Sequence, residues 1–388
     1  MELRQAASAA DRDQTWEIVR RAFNSPRDRR ERWDDGSPNE LLWGLYESAD
    51  LLATAKVMDW TQAFGGQLVP MAAVSGVGVA PEQRGRGYAS QLFQRLLRSI
   101  RERGVPLSGL MPASTGLYRK VGYEVAAPFT RRTLPTRALH GLPRVVHVPV
   151  RIGTVDDLPA IAALERRIGA SVNGWLDPSD EWWAWWGRQG FEDAFCYVAT
   201  DGDEIVGDVM YRHGEDPKWG YSIEVLGLVA DSVEVLCALW HAVGSSSTMA
   251  HSLTLVAPMD RELLLLLPEQ EVETTFDLQY MLRVCDLPGA VEARGYPAGL
   301  RAVVDVEVHD PVIAENAGRW RLVVEDGKGH AERGGDGAVS MTINAFASLY
   351  SGWSSPELLR TAGLLTGDDV GALAAVFAGS PPVVNQFF

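Results

Sequence analysis

A glycine- and arginine-rich turn holds the residue types best suited to binding an anion. The turn is Gln83-Arg84-Gly85-Arg86-Gly87-Tyr88-Ala89. It follows a valine-rich run over 72–80, which is typical of a buried strand. The next apolar residues, from Leu92 to Ile100, recur at helical spacing. Free N–H groups at a helix N-terminus and two arginine side chains attract negative charge, and glycines leave the backbone accessible. The sequence therefore predicts an anion site at this turn.

The order of residues in the turn narrows the choice of anion. No Gly-Lys-Ser or Gly-Lys-Thr follows, and the glycines do not have the Gly-x-Gly-x-x-Gly spacing. After the Val77-Gly78-Val79 strand, the turn resembles the coenzyme A signature of the GCN5-related N-acetyltransferases (GNAT). A surface turn between a strand and a helix is the simpler alternative. The resemblance implies that loop amides hold the coenzyme pyrophosphate and that the strand pairs its backbone with the pantetheine arm.

This resemblance also implies the residues that bind acetyl-CoA and a general acid. Tyr118 stands before Arg119-Lys120-Val121-Gly122-Tyr123, at the position where the family has a tyrosine close to the coenzyme sulfur. A phenol with an ordinary pKa of about 10 can protonate a departing thiolate, although a tyrosine that only packs its ring is the alternative. The cofactor-binding positions are Val77, Gly78, Val79, Gln83, Arg84, Gly85, Arg86, Gly87, Tyr88, Ala89 and Ser114.

Composition limits the other classes of function. A length of 388 residues predicts two or three domains, and a net charge of −15 argues against a nucleic-acid partner. Three distant cysteines and seven scattered histidines lack metal-ligand spacing, so we expect no metal and reduced thiols in a cytoplasmic protein. The N-terminus lacks a secretion signal and no apolar run is long enough to span a membrane, so no membrane partner is expected.

The order of predicted elements indicates two copies of one α/β (α+β) unit. Residues 1–140 contain, in this order, a strand, a helix, a hairpin, the valine strand, the turn with its helix, a further strand, a short helix and a last strand. After a proline-bounded linker, residues 150–284 repeat this order. The corresponding turn, Val229-Ala230-Asp231-Ser232-Val233, has neither glycine nor arginine. We therefore expect tandem GNAT domains, of which the second is degenerate and keeps the fold without the anion site.

The remaining residues, 285–388, form alternating strands followed by helical segments and resemble a sterol-carrier-like fold. A catalytic GNAT domain, a degenerate one and such a tail is the arrangement of the Eis (enhanced intracellular survival) family. This resemblance covers the whole chain. It implies an acetyl-CoA-dependent N-acetyltransferase that acts on amines. The acceptors that it implies are aminoglycosides, acetylated at one or more amino groups, which would give the enzyme a role in antibiotic resistance. It also implies a homohexamer.

The Eis resemblance further implies an acceptor site and a base. Phe23, Trp33 and Asp286 match positions that line the acceptor pocket. The C-terminal carboxylate, here of Phe388, helps to deprotonate the amine. A free carboxylate is a weak base unless an apolar setting such as Phe387-Phe388 raises its pKa, and a frayed terminus is the alternative.

The departures from the family concern the acceptor. Ser25 stands where an aspartate would help to bind a polycation, Gly76 replaces a bulky aromatic residue, and Phe387 replaces an acidic one. Fewer carboxylates imply a weaker hold on aminoglycoside ammonium groups. Acetylation of protein lysines or other small amines therefore remains an alternative, as does a non-enzymatic protein that binds acetyl-CoA or lipid.

A tryptophan-rich segment has no place in the resemblance. Trp182-Trp183-Ala184-Trp185-Trp186 follows a helix-start signal at Asp177-Pro178. Four tryptophans at these spacings wrap most of a helix circumference, so the helix must be covered on more than one side. Packing between domains or subunits is one interpretation, and a wall of the acceptor pocket is the other.

Overall fold

The computed structural model describes residues 1–34, 41–215, 219–255, 261–367 and 370–388. These residues form one 13-stranded and one five-stranded sheet, with helices packed on both. No helix within these ranges is long and apolar enough to cross a membrane.

The first repeat carries the valine strand and the helix after it. Its strands are β1 (Glu2–Gln5), β2 (Leu41–Glu47), β3 (Asp50–Phe64), β4 (Gln67–Val79), β5 (Leu107–Leu110) and β6 (Glu124–Pro135). Its helices are α1 (Ala9–Phe23), α2 (Arg30–Asp34), α3 (Tyr88–Glu102) and α4 (Thr115–Arg119), with 3-10 turns at Arg27–Arg29, Pro81–Gln83 and Thr136–Gly141.

The second repeat has the same order of elements with one added short strand. Its strands are β7 (Val150–Ile152), β8 (Leu176–Asp177), β9 (Phe195–Asp201), β10 (Glu204–Gly214), β11 (Tyr221–Ala230), β12 (Ala250–Leu255) and β13 (Glu273–Val284). Its helices are α5 (Leu158–Gly169), α6 (Asp180–Asp193), α7 (Val233–Gly244) and α8 (Arg261–Leu266), with a 3-10 turn at Val155–Asp157.

The C-terminal unit forms the small sheet and the last helices. Its strands are β14 (Ala302–His309), β15 (Gly318–Glu325), β16 (Lys328–Arg333), β17 (Val339–Thr342) and β18 (Leu365–Thr366). Its helices are α9 (Leu287–Ala293), α10 (Ile343–Tyr350), α11 (Pro356–Thr361) and α12 (Val370–Val376), with a 3-10 turn at Ala314–Asn316. The predicted change to a separate α/β unit after the repeats is confirmed.

The two repeats exchange their last strands. The large sheet runs β1-β2-β3-β4-β5-β13-β6-β12-β11-β10-β9-β7, and β8 pairs with β3. Strand β13 of the second repeat therefore lies beside β5, with Met281 opposite Leu110, while β6 of the first repeat lies beside β12, with Leu134 opposite Leu253. Each repeat completes the half-sheet of the other. The sequence-based division into 1–140 and 150–284 takes no account of this exchange.

Apolar spacing explains how α3 is held on the sheet. Its fully buried side chains, which follow the predicted helical period, are Leu92, Phe93, Leu96, Leu97 and Ile100. They join the core between α3 and strands β2 to β5. Burying such side chains contributes roughly 1.5–3 kcal/mol each before entropy is counted. The start of α3 is therefore fixed relative to the end of β4.

The C-terminal unit is attached to the large sheet by a buried ion pair and by hydrogen bonds. Arg283 of β13 binds Asp310 at 2.6 Å, and neither side chain is exposed. The guanidinium also donates to the carbonyl of Val121, just after α4. From α10, Asn344 Nδ2 donates to the carbonyls of Arg119 and Tyr123, at 2.9 and 2.8 Å. The tail domain thus braces the turn that follows α4.

Candidate active site

Strands β4 and β5 separate at the centre of the large sheet. Their parallel pairing runs from Met71–Leu107 to Ala73–Gly109, after which β4 continues to Val79. On the other side β4 stays paired with β3 as far as Val79. The last part of β4 therefore presents backbone N–H and C=O groups to the gap, where an extended ligand can pair with them.

The direction of the β4 amides follows from one hydrogen bond. Ala80 N–H donates to the Leu52 carbonyl at 3.1 Å, toward β3. Because successive residues of a strand point their N–H groups to opposite edges, the amides of Val79 and Val77 point to the gap. A bulge precedes them at Gly76, whose φ of 57° favours glycine. This geometry agrees with the strand residues that the sequence predicted to bind the cofactor.

The turn after β4 leaves the N-terminus of α3 open. Gly87 is the residue before the helix, with a φ of 78°, and no side chain caps the first turn. The first intrahelical bond shown there runs from Gln91 N–H to the Gly87 carbonyl. The preceding amides, from Tyr88 to Ser90, thus carry the positive end of the helix dipole. Arg84 and Arg86 are exposed beside them.

A buried polar atom at this turn also lacks a partner. Gln83 Oε1 is inaccessible to solvent and accepts no hydrogen bond from the described residues. A pyrophosphate can bind to the open helix amides and the exposed arginines, and an amide N–H of the attached pantetheine can donate to the unpaired oxygen of Gln83. The residues present therefore fit acetyl-CoA. Within the described part of the chain, no group of three or more potential metal ligands occurs.

The second repeat has lost this anion site for a visible reason. Strand β11 also runs past its last pair with β12, Val225–Leu255, and ends at Ala230. The next helix, however, is capped by its own chain, since Ser232 Oγ accepts a hydrogen bond from Val235 N–H at 3.3 Å. Glu234 lies in its first turn. A capped and acidic helix start does not attract phosphate, which agrees with the expected loss of the anion site.

Tyr118 lies on α4 with its ring packed and its side chain lining a cavity. The ring meets Phe93 edge-on at 5.2 Å and Tyr123 at 5.9 Å between centroids. Burial raises the pKa of Tyr118 to about 12. The phenol therefore stays protonated near neutral pH and can donate a proton. The ring of Tyr118 is packed, as in the structural interpretation of this residue, and its side chain also lines the cavity, as a general acid must.

The C-terminal segment is anchored to the protein. Asn385 is buried, its Oδ1 accepts from Leu176 N–H at 2.7 Å, and its Nδ2 donates to the Leu176 carbonyl at 3.1 Å. Two residues earlier, Val383 N–H donates to the Asn173 carbonyl at 2.7 Å. The Phe388 ring packs edge-on against Trp60 at 5.0 Å. The end of the chain is therefore ordered by specific contacts, unlike a frayed terminus.

These elements meet around a cavity of about 340 Å³, which we call the central cavity. It brings together Phe23, Trp33, Tyr118 and Phe388, as the sequence predicted. Helix α1, strands β2 to β4, the segment after β5 and the C-terminus contribute its lining: Thr15, Val19, Phe23, Ser25, Trp33, Leu42, Thr54, Lys56, Val74, Ser75, Gly76, Val77, Met111, Ala113, Tyr118, Phe387 and Phe388.

Asp286 does not join them. It follows β13 next to the start of β5, because Val284 pairs with Leu107, whereas the cavity lies beyond the other end of β5. Its carboxylate lies 3.4 Å from Arg101, near the C-terminal end of α3. The structure thus gives Asp286 a role in packing the third unit against that helix end.

Two functional features were missed by the reasoning from sequence. Lys56 lines the central cavity, and burial, with a smaller contribution from Arg12, lowers its pKa to about 8. A signal was present, since Lys56 is the only lysine or arginine of β3 and lies in a mostly apolar part of that strand. The anchoring by Asn385 left no signal, because nothing in the sequence pairs it with Leu176.

The tryptophan-rich helix, α6, supports the cavity without being part of its lining. Trp182 packs against Trp60 at 5.3 Å between centroids, and Trp60 in turn contacts Phe388. Trp182 and Trp183 are buried in the cluster that joins the three units. This arrangement favours the packing interpretation of the segment.

Comparison with known proteins agrees with this architecture. Residues 3–126 and 174–284 each match the family description "Acetyltransferase (GNAT) domain", and residues 287–385 match "Sterol carrier protein domain". The N-acetyltransferase Eis of Mycobacterium tuberculosis is 27% identical over 373 residues, covering 89% of this chain and 87% of that protein.

Two crystal structures of GCN5-related N-acetyltransferases align with the whole chain. The protein from Kribbella flavida is 31% identical, with a TM-score of 0.86 over 100% of this chain and 98% of the other. The protein from Anabaena variabilis is 28% identical, with a TM-score of 0.92 over 100% of both chains.

Proposed function

We propose that this chain, which belongs to the GCN5-related N-acetyltransferases and is similar to the N-acetyltransferases Eis, acetylates its amine acceptor by direct transfer, with Tyr118 as general acid and the Phe388 carboxylate as base. The observation that carries this proposal is the central cavity, where the open edge of β4, the phenol and the C-terminus meet. Acetyl-CoA as co-substrate supplies an acetyl group activated as a thioester.

The mechanism needs one proton transfer to Phe388 and one from Tyr118. An amine reaches the protein as an ammonium ion and must lose a proton before its nitrogen can attack the thioester carbon. The Phe388 carboxylate accepts that proton, directly or through water. When the carbon–sulfur bond breaks, Tyr118 donates its phenolic proton to the thiolate. The acetylated nitrogen then loses its second proton, which returns to Tyr118 through solvent, so that a neutral amide and a neutral thiol leave and the phenol is restored.

Burial of the cysteines supports direct transfer over a covalent acyl-enzyme. Cys196, Cys237 and Cys285 are all buried, and burial raises the pKa of each thiol. None of them is among the described residues that line the central cavity. A thiol held protonated and away from the substrates is a poor nucleophile.

The identity of the acceptor remains a prediction. Aminoglycosides are the acceptors that the family suggests, yet the described cavity lining contributes aromatic side chains and Lys56, and no aspartate or glutamate side chain. Asp35 and Glu40 lie outside the described residues. A polycation gains little from such a lining, so we rank amines with one positive charge and an apolar body above aminoglycosides. Cytoplasmic location and a homohexamer, both suggested by the family, also remain predictions.

Release of coenzyme A tests the proposal. Free thiol is measured with a thiol-reactive dye while aminoglycosides, polyamines, lysine peptides and arylalkyl amines are supplied with acetyl-CoA. We expect amine-dependent release that Tyr118→Phe and deletion of Phe388 each reduce by about a hundredfold, with acetyl-CoA affinity retained. Tyr197→Phe, in the second repeat, is the matched control and should leave release unchanged. Acetyl-CoA binding without release on any amine would refute the proposal.

A further inference from the structure

We propose that the acceptor is an amino acid-like molecule, in which the reacting amine and a carboxylate share an aromatic or large apolar body, and that Lys56 binds the carboxylate. This inference rests on the proposed function, because it names the substrate class of the same cavity. It concerns specificity and assigns Lys56 no part in the chemical step.

The position of Lys56 places a cation next to the reacting segment. Lys56 lies on β3 opposite Ser75 of β4, directly before the bulge at Gly76 and the open edge of the strand. Lys56, Ser75 and Gly76 all line the central cavity. The lysine side chain is only partly exposed. An anionic group on a ligand in the cavity therefore meets this ammonium rather than bulk solvent.

Lys56 keeps its charge at neutral pH although burial opposes it. With a pKa of about 8, roughly nine in ten molecules carry the charge at pH 7. Burial is the main cause of the lowered pKa, which means that the ammonium is poorly solvated, and the charge of Arg12 on α1 adds to the local positive potential. An ammonium has three donors, so it can bind a ligand in addition to groups of the protein. Lys56 already interacts with the protein, and a carboxylate that enters the cavity adds a further interaction with the ammonium.

Among the described residues that line the cavity, one positive and one negative group match the carboxylate and the ammonium of an amino acid. Lys56 supplies the positive group, and the C-terminal carboxylate of Phe388 supplies a negative one. The acceptor amine has to reach Phe388 in order to lose its proton. A carboxylate on the same molecule can then reach Lys56. A polycation would instead place further positive groups near Lys56, which costs binding energy.

The rest of the lining suits an aromatic or large apolar body. Phe23 and Phe387 are 52% and 60% exposed and both line the central cavity, so a ligand there can cover their rings. Trp33, Leu42 and Met111 extend this surface. A volume of about 340 Å³ is at the lower end for ligand sites, which fits a molecule the size of an amino acid.

A matched series of acceptors tests the inference. Phenylalanine, phenylalaninamide and phenethylamine share a ring and a primary amine and differ in the carboxylate. Their amines also differ in basicity, so the readout is the change in the ratio of kcat/KM for phenylalanine and phenylalaninamide between wild type and variant. We expect Lys56→Met to lower this ratio at least tenfold and Lys56→Glu to lower it further. Lys328→Met, at an exposed lysine of β16, is the control and should leave it unchanged.

The outcomes separate this inference from the function on which it rests. If Lys56→Met turns over all three amines with the wild-type ratio, the carboxylate does not bind Lys56 and the inference fails alone. If no amine is acetylated while acetyl-CoA binds, the proposed function fails and the inference fails with it.

A measurement on the wild type covers the case in which the variants do not fold. The product analogue N-acetylphenylalanine should bind less tightly as the pH rises through 8, because Lys56 loses its charge there. The amide of the same product should not show this dependence. Of the other groups near Lys56, Arg12 contributes positive charge from α1, and Tyr118, with a pKa of about 12, stays neutral in this range. Equal pH dependence of the two analogues would overturn the inference.

Discussion

Replacing Asn385 by leucine should disconnect the C-terminal carboxylate from catalysis without touching acetyl-CoA. Asn385 is 6% exposed and makes two hydrogen bonds to the backbone of Leu176, at 2.7 and 3.1 Å. Leucine has a similar size but leaves a buried N–H and a buried carbonyl unpaired, at about 1–3 kcal/mol each. The docked tail thus loses about 2–6 kcal/mol relative to a detached one.

The consequence for activity depends on how firmly the remaining contacts hold the tail. Val383 and the Phe388 ring still bind, at Asn173 and Trp60. A loss of at least about 2 kcal/mol changes the docking equilibrium by a factor of about 30 or more. We therefore expect kcat to fall at least tenfold. Asn385→Asp should be no milder, because its buried carboxylate keeps the acceptor for the Leu176 N–H but places a second oxygen against the Leu176 carbonyl.

The assay compares amine-dependent coenzyme A release with acetyl-CoA affinity measured by calorimetry. Deletion of Phe388 moves the C-terminal carboxylate back to Phe387 and is the reference for a displaced base, and Gln386→Ala, on the same segment, is the control. Added acetate should partly restore turnover in the deletion variant, because it supplies a carboxylate at the place that the Phe388 carboxylate has left. If Asn385→Leu retains full kcat with a demonstrably mobile tail, the C-terminal carboxylate is not the base.

Three further changes test separate parts of the site. Gly87 has a φ of 78°, so Gly87→Ala introduces backbone strain of about 1 kcal/mol or more at the start of α3, and calorimetry should show acetyl-CoA affinity at least about fivefold weaker. Gly104→Ala, at a φ of 76° beyond the other end of α3, is the control and should leave this affinity unchanged. In Tyr118→Phe, kcat should fall about a hundredfold; in the wild type, deprotonation of Tyr118 should lower kcat only as the pH approaches its pKa of about 12. Burial raises the pKa of Asp208 to about 7 in the folded state. Between pH 4 and 7 the folded protein therefore holds a proton on Asp208 that the unfolded protein has lost. The free energy of unfolding consequently falls as the pH rises through this window. Asp208→Asn should therefore be more stable than wild type in denaturant unfolding at pH 8 and not at pH 4, and Asp203→Asn, in an exposed turn, should change neither.

The parts of the fold that depend on neighbouring residues could be predicted from the sequence. The apolar period from Leu92 to Ile100, the glycines at 85 and 87, and the loss of both glycine and arginine near Ser232 each have a local physical meaning. They led to the buried face of α3, the open helix start and the capped second copy. Turn chemistry and helical period need no knowledge of distant partners.

The parts that failed depend on long-range pairing. The residues of β6 and β13 read as strands whichever neighbour they have, so the exchange between repeats left no trace in the pattern. Asp286 follows β13, and its distance from the cavity results from that exchange. Lys56 could be recognised as unusual in an apolar strand, but only the tertiary arrangement shows that it lines the central cavity.

The exchanged strands constrain how the protein can be made. While the ribosome is synthesising the chain, the first repeat lacks β13 until residue 284 has emerged, and β5 meanwhile has an open edge. Residues 1–140 expressed alone should therefore aggregate or pair with another chain rather than form a small independent acetyltransferase. Neither half-sheet is complete without a strand of the other repeat, so the central cavity can form only after the second repeat has been synthesised.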